Sequence, residues 1–140
     1  MPDYVLYEDL EVGQELPPAV FRITDEVIDS YTEATGDDSP VYSREGSTEP
    51  GTRRLAPPTL AAVYVRPALM SMPSPPGGIH AKQRYEFHRP VFSGDVLVTQ
   101  ARILDKYLKK ARRYVVMETM TTNQDGEIVT TGRMVRIWAR

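Results

Sequence analysis

Cysteine is absent from the sequence, which excludes disulfides, thiolate zinc sites and a cysteine nucleophile. Only His80 and His88 remain as imidazole ligands. The sequence therefore argues against a metal enzyme, and no feature in it specifies a metal or redox cofactor. Long apolar runs are missing too, and without about 20 consecutive apolar residues no helical membrane span is expected. The first 18 residues carry several acidic side chains, no Lys or Arg, and no continuous apolar core. They read as neither a secretory signal nor an Arg-rich transit peptide, so a cytoplasmic location is the default expectation. A net charge of -2 lacks the strong basic balance of a nucleic-acid-binding domain. Any anion binding must be local.

What is present is ordinary for one globular domain. A chain of 140 residues, 41% apolar and 26% charged, is expected to form a single domain over residues 1–140. At that size it buries about two-thirds of its unfolded surface. Val20 to Ile23 reads as a short strand, after which Thr24 is placed to cap a helix with Asp25 and Glu26 in its first turn, near the positive dipole end. Val27, Ile28, Tyr31 and Ala34 recur at helical spacing, and Gly36 supplies the stop. From Gly36 to Arg54 the composition turns to Gly, Asp, Ser, Pro and Glu, a long loop with turn signals at Asp38-Ser39-Pro40 and Glu49-Pro50-Gly51. Pro57-Pro58 then open an apolar helix, because proline is tolerated where no amide donor is needed. Leu60, Ala61, Val63, Tyr64 and Val65 make that helix apolar nearly all round, which predicts burial, and Pro67 must kink or end it.

The remainder is strand-like, with period-two segments at 79–89, 96–107, 112–122 and 128–138 rich in Val, Ile, Thr and Tyr. Ser93-Gly94-Asp95 and Asn123-Gln124-Asp125-Gly126 mark turns, and the middle connection is basic. Long antiparallel strands and one apolar helix are satisfied together by an α+β hot-dog fold, in which the sheet wraps the helix. The exposed edges of such a sheet invite a second copy, so a dimer or larger assembly is expected.

Four segments carry a resemblance. The run from Tyr31 to Tyr42, YTEATGDDSPVY, looks like the signature Y-x-x-x-[ST]-G-D-x-N-P-x-H, and Leu55-Ala56-Pro57-Pro58-Thr59 resembles the start of a central helix. The run Phe87 to Asp95, FHRPVFSGD, matches F-x-R-P-V-x-x-G-D, and Glu8 to Gly13 looks like a family opening. On these the chain resembles the MaoC-like (R)-specific enoyl-thioester hydratases and 3-hydroxyacyl-thioester dehydratases, closest to the N-terminal-half, FAS1-like dehydratase branch. The resemblance implies a hot-dog fold and acyl thioesters of coenzyme A or acyl carrier protein as ligands. It also implies chemistry in which a signature Asp and His hold a water while a glycine amide receives the thioester oxygen.

The resemblance keeps one of those three parts. Asp37 aligns with the acid, Tyr42 occupies the histidine position, and Pro58 stands where the donor glycine would be. A phenol with a reference pKa of about 10 is a poor proton acceptor near neutrality, and proline has no N–H to offer an oxyanion. His80, after Pro-Pro-Gly-Gly, is placed as a replacement base at the mouth of the site, whereas His88 reads as an outer-face strand residue. The candidate catalytic residues are Asp37, Tyr42 and His80, and the candidate substrate contacts are Ser39, Pro58, Thr59, Leu60 and Tyr64. Asp37, Tyr42, His80 and the start of the Pro58 helix are expected to converge on one cleft. Three readings follow. The first is a partner-dependent or non-catalytic subunit of a dehydratase, pairing with a catalytic hot-dog subunit. The second is an active homodimeric hydratase using Asp37 with Tyr42 or His80. The third is a non-enzymatic acyl-thioester-binding module. The basic run Lys106, Lys109, Lys110, Arg112 and Arg113 reads as a solvated turn, with a phosphate or acidic carrier protein as the sharper alternative.

Overall fold

The computed structural model describes residues 3–46 and 52–139, so the Glu49-Pro50-Gly51 turn lies outside the described residues. Five strands form one antiparallel sheet in the order β1-β3-β4-β5-β2: β1 Ala19–Arg22, β2 Ile79–Phe87, β3 Val96–Lys109, β4 Arg112–Thr122 and β5 Ile128–Trp138. Side chains alternate across a strand, and β3 shows it: Leu97, Thr99, Ala101 and Ile103 are buried, while Gln100 and Arg102 face solvent. Two cross-strand rows floor the inner face. One runs Tyr85, Gly132, Thr119, Ala101, and the next runs Phe87, Thr130, Thr121, Thr99. The buried threonines of the second row are paired, Thr99 with Thr121 at 2.8 Å and Thr130 with the Tyr64 hydroxyl.

The helix α1 spans Asp25–Thr35, and both of its expected ends are formed. Thr24 Oγ1 accepts the Val27 amide at 3.2 Å, and Gly36 ends the helix in the left-handed region at φ 67°. The helix inside the sheet is broken into a 3₁₀ turn Pro58–Leu60, α2 Ala61–Tyr64 and α3 Arg66–Leu69. Pro67 does not end it. The chain kinks at Val65 and resumes helical hydrogen bonding, with Leu69 N bonded to Val65 O at 3.3 Å. Nor is this helix buried on every side. Leu60, Ala61, Tyr64, Val65, Ala68 and Leu69 are buried against the sheet, whereas Ala62 and Val63 are exposed.

Residues 3–18 strap the assembly together, a role the sequence did not announce. Leu10 and Leu16 are buried, Gly13 N donates to Ile103 O at 2.7 Å, and Trp138 Nε1 donates to Val5 O at 3.0 Å. The architecture is the α+β hot-dog: a curved antiparallel sheet around one helical axis, with α1 and its following loop laid beside it. Among the described residues no helix is long and apolar enough to cross a membrane.

Candidate functional site

The loop after α1 is built by local polar contacts. Asp37 N donates to Thr32 O at 2.8 Å, Asp37 Oδ1 accepts Ser39 N at 3.0 Å, and Pro40–Tyr42 then make one 3₁₀ turn. The short carboxylate bonding two residues on is the usual reason for Asp in such a turn. Asp37, Asp38, Ser39 and Tyr42 thereby line one cavity of about 290 Å³, with Asp29 and Thr32 of α1 on its other wall.

Arg54 closes the back of this cavity. It is 6% exposed, and its guanidinium donates to Tyr42 O at 2.9 Å, to the Asp25 backbone oxygen at 3.2 Å and to Asp29 Oδ1 at 2.7 Å. A second cation, Arg44, approaches Asp29 Oδ2 at 2.7 Å from the solvent side. The carboxyl of Asp29 is held below the ordinary aspartate range by the Arg44 and Arg54 hydrogen bonds. That of Asp25 is lowered first by the Ser93 hydroxyl, whose Oγ donates to Asp25 Oδ1 at 2.9 Å, and then by the two arginines. Sequence reasoning passed over Arg54. The available signal was the spacing of Asp25 and Asp29, one turn apart on a single face of α1.

Pro58 and Tyr64 line a second cavity of about 280 Å³, walled by Leu55, Phe87, Val91 and Thr130. Burial pushes the Tyr64 phenol up to about 12, so near neutrality it stays protonated against Thr130. Leu60 is fully buried in the core. Thr59 is exposed, and its Oγ1 accepts the hydroxyl of Tyr31 from α1 at 2.8 Å. This bond ties α1, whose Thr32 lines the first cavity, to the turn whose Pro58 lines the second. Tyr85 stands close by, its phenol raised by burial and then by the nearby Tyr31.

Within this chain, then, the expected single cleft is divided in two. Asp37, Ser39 and Tyr42 share one part, and Pro58 and Tyr64 share the other. His80 joins neither cavity. It pairs with Arg136 near the opposite end of β2 from Phe87, roughly 20 Å or more along the strand. The imidazole beside Pro58 is His88, whose Nε2 lies 2.9 Å from Thr131 Oγ1 and which lines the second cavity. Asp95 of the Phe87–Asp95 motif is structural. It is 2% exposed and takes hydrogen bonds from Arg53, Gln124 and the Phe92 amide. A further cavity, about 540 Å³ between Glu15–Pro18 and the β3–β4 strands, contains none of the candidate residues. Among the described residues no group of three or more His, Cys, Asp or Glu is placed to hold a metal ion.

An antiparallel sheet around a broken helix, with a Gly-Asp loop after α1 and a Pro-Pro-Thr turn at the helix start, defines a MaoC-like hot-dog protein of the hydratase and dehydratase class. The family model for the FAS1-like dehydratase domain region matches residues 11–132, and the chain belongs to that family. An R-hydratase from Pseudomonas aeruginosa, PhaJ1 in its unliganded form, has a TM-score of 0.83 and 27% identity over 98% of this chain and 87% of that one. A UPF0336 protein from Saccharopolyspora erythraea is 26% identical over 132 residues, covering 87% of this chain and 85% of its own. The HadBC complex of Mycobacterium tuberculosis, a 3R-hydroxyacyl-ACP dehydratase, shares the fold at a TM-score of 0.76 and 24% identity, over 90% of this chain and 96% of that one.

Proposed function

We propose that this chain is a subunit of an acyl-thioester (R)-hydratase or 3-hydroxyacyl-thioester dehydratase, and that it depends on a second hot-dog subunit for turnover. The observation that carries the reading is the make-up of the two cavities: the first is lined by the carboxylate of Asp37 and by Tyr42 where the signature has histidine, and the second has Pro58 at the helix start. Water addition across an enoyl thioester needs one group to take a proton from water, one to protonate the α carbon, and a donor for the thioester oxygen. Asp37 supplies a single proton-transfer group, and Pro58 has no amide proton to give. The chain thus shapes the acyl site, and the partner brings the intact Asp and His. Membership of the FAS1-like dehydratase family and the likeness to a dehydratase complex of two different subunits support this.

The test is hydration of crotonyl-CoA by the purified chain, alone and mixed with a hot-dog subunit carrying the full signature. Each loss is expected to lower the rate on the order of 10²-fold or more, so the chain alone should be close to inactive and the mixture active. Tyr42→His alone should recover little, while Tyr42→His with Pro58→Gly should give measurable turnover. Robust hydration by the unmodified chain, abolished by Asp37→Asn, would overturn the partner-dependent reading.

A second reading, the homodimer, is favoured by the edge strand. All of β2 except Tyr85 is exposed, and among the described residues no strand pairs with its outer edge. Antiparallel pairing of two copies about the middle of β2 would bring the His80 of each toward the Phe87 and His88 of the other, at the second cavity.

A further inference from the structure

We infer that the Thr59 hydroxyl is the hydrogen-bond donor that orients the carbonyl of a bound acyl thioester, with Tyr31 fixing its direction. The inference rests on the acyl-thioester reading above and names a binding contact that reading lacks. Pro58 has no N–H, and two amides of the turn are already engaged: Leu60 N donates to Pro57 O at 3.0 Å, and Ala61 N donates to Pro58 O and Thr59 O. The exposed polar side chain on this turn is Thr59.

The geometry decides what that hydroxyl does. Tyr31 donates to Thr59 Oγ1 at 2.8 Å, so a lone pair of Thr59 is engaged and its own proton is free to point outward. A hydroxyl that accepts one hydrogen bond donates the next more strongly, because the chain of bonds polarises along its length. Tyr31 is well placed to hold this direction. It is half-buried on α1, packed against the core, with the Tyr85 ring close to it. Each member of the pair is the chain neighbour of a cavity-lining residue, Tyr31 of Thr32 in the first cavity and Thr59 of Pro58 in the second. A ligand that lays its acyl chain in the apolar cavity under Tyr64 and reaches toward Asp37 carries its carbonyl past Thr59. A threonine hydroxyl thus orients the ground-state carbonyl at this turn, a binding contact that does not replace the amide needed for turnover.

The experiment uses butyryl-CoA, labelled with ¹³C at the carbonyl, and its thioether analogue, which has no carbonyl. Dissociation constants and the carbonyl stretching frequency are measured for the wild-type protein, Thr59→Val, Thr59→Ser and Tyr31→Phe. Thr59→Val keeps the shape of an exposed side chain, and unchanged thermal unfolding verifies that it folds. It is expected to weaken butyryl-CoA about tenfold, toward the upper range for one hydrogen bond. It should raise the carbonyl frequency toward the unbonded value and leave thioether binding unaltered. Thr59→Ser should behave as wild type, and Tyr31→Phe should fall between. If Thr59→Val binds butyryl-CoA as wild type does, with the same carbonyl frequency, the assignment of Thr59 is wrong while the acyl-thioester reading stands. If the wild-type protein binds no butyryl-CoA, that reading fails and this assignment with it.

Discussion

Arg54 illustrates how a single buried side chain can decide the form of a loop. An arginine is seldom buried unless its donors are satisfied, and this one spends its fork on two aspartates of α1 and on the carbonyl of Tyr42. The turn that presents Tyr42 is therefore tied to α1 through one guanidinium. Arg54→Met keeps much of the apolar stem but leaves the Tyr42 carbonyl without its partner, and should lower the thermal midpoint by about 5 °C. The pH dependence follows from the lowered pKa values of Asp25 and Asp29. A carboxyl whose folded pKa is depressed stabilises fully above the ordinary aspartate range and loses that contribution as pH falls through it. Denaturation midpoints measured from pH 7 down to pH 3 should fall in the wild-type protein and fall less steeply in Arg54→Met. Parallel curves would show that Arg54 is not what holds these carboxylates ionised. None of this was legible in the sequence, where Arg53-Arg54 is an unremarked basic pair before an apolar run. The turn that holds Asp37 and Tyr42 was legible because a turn writes itself in neighbouring residues, whereas the Arg54 contacts span 12 to 29 positions.

Local signals account for most of the element boundaries. The expected segments 112–122 and 128–138 coincide with β4 and β5, because Asp-Gly punctuation and β-branched alternation act within a few residues. The β3–β4 connection was harder to read. Its turn places Lys110 and Ala111 at φ 50° and 61°, a conformation usually advertised by Asn or Gly. Two long strands enforce it here, with Lys109 opposite Arg112 and the rings of Tyr107 and Tyr114 stacked at 5.0 Å. Of the basic residues around this turn, Lys106 is drawn back to Tyr7, bonding its carbonyl at 3.2 Å and lying over its ring. The break at Val65 was also only half legible, since Pro67 warns of a kink but not of the buried face that lets the helix resume. Gly132 in β5 exposes a different kind of tertiary demand. A Cβ there would sit 2.7 Å from Thr119 Oγ1 and 3.2 Å from the Tyr85 ring, so its glycine is what lets Tyr85 lie against the sheet. Gly132→Ala should destabilise the protein by about 1–3 kcal/mol in chemical denaturation, as overpacking does. A neutral effect would mean that Tyr85 can move aside freely.

At the scale of the whole molecule the sheet has two unequal edges. β1 has four residues and is a small hazard, but β2 has nine, all exposed except Tyr85, and natural proteins seldom leave such an edge bare. Two-fold pairing of β2 with its own copy has a charge pattern in its favour. Centred on Arg84 it sets Lys82 opposite Glu86 twice, and centred on Tyr85 it sets Arg84 opposite Glu86 twice. Glu86 is the acidic member in either register, and its present partner is Arg84 of the same strand at 2.8 Å. We therefore expect a dimer at micromolar concentration by light scattering, and Glu86→Lys should raise its dissociation constant about tenfold or more by converting two attractive pairs into repulsive ones. The rescue identifies the register. Lys82→Glu added to Glu86→Lys should restore the dimer if the axis passes through Arg84, and Arg84→Glu should do so if it passes through Tyr85. If the wild-type chain is a monodisperse monomer that dimerises only with a catalytic hot-dog subunit, β2 is kept for a different partner, and the site is completed by that subunit's residues instead of by a second His80.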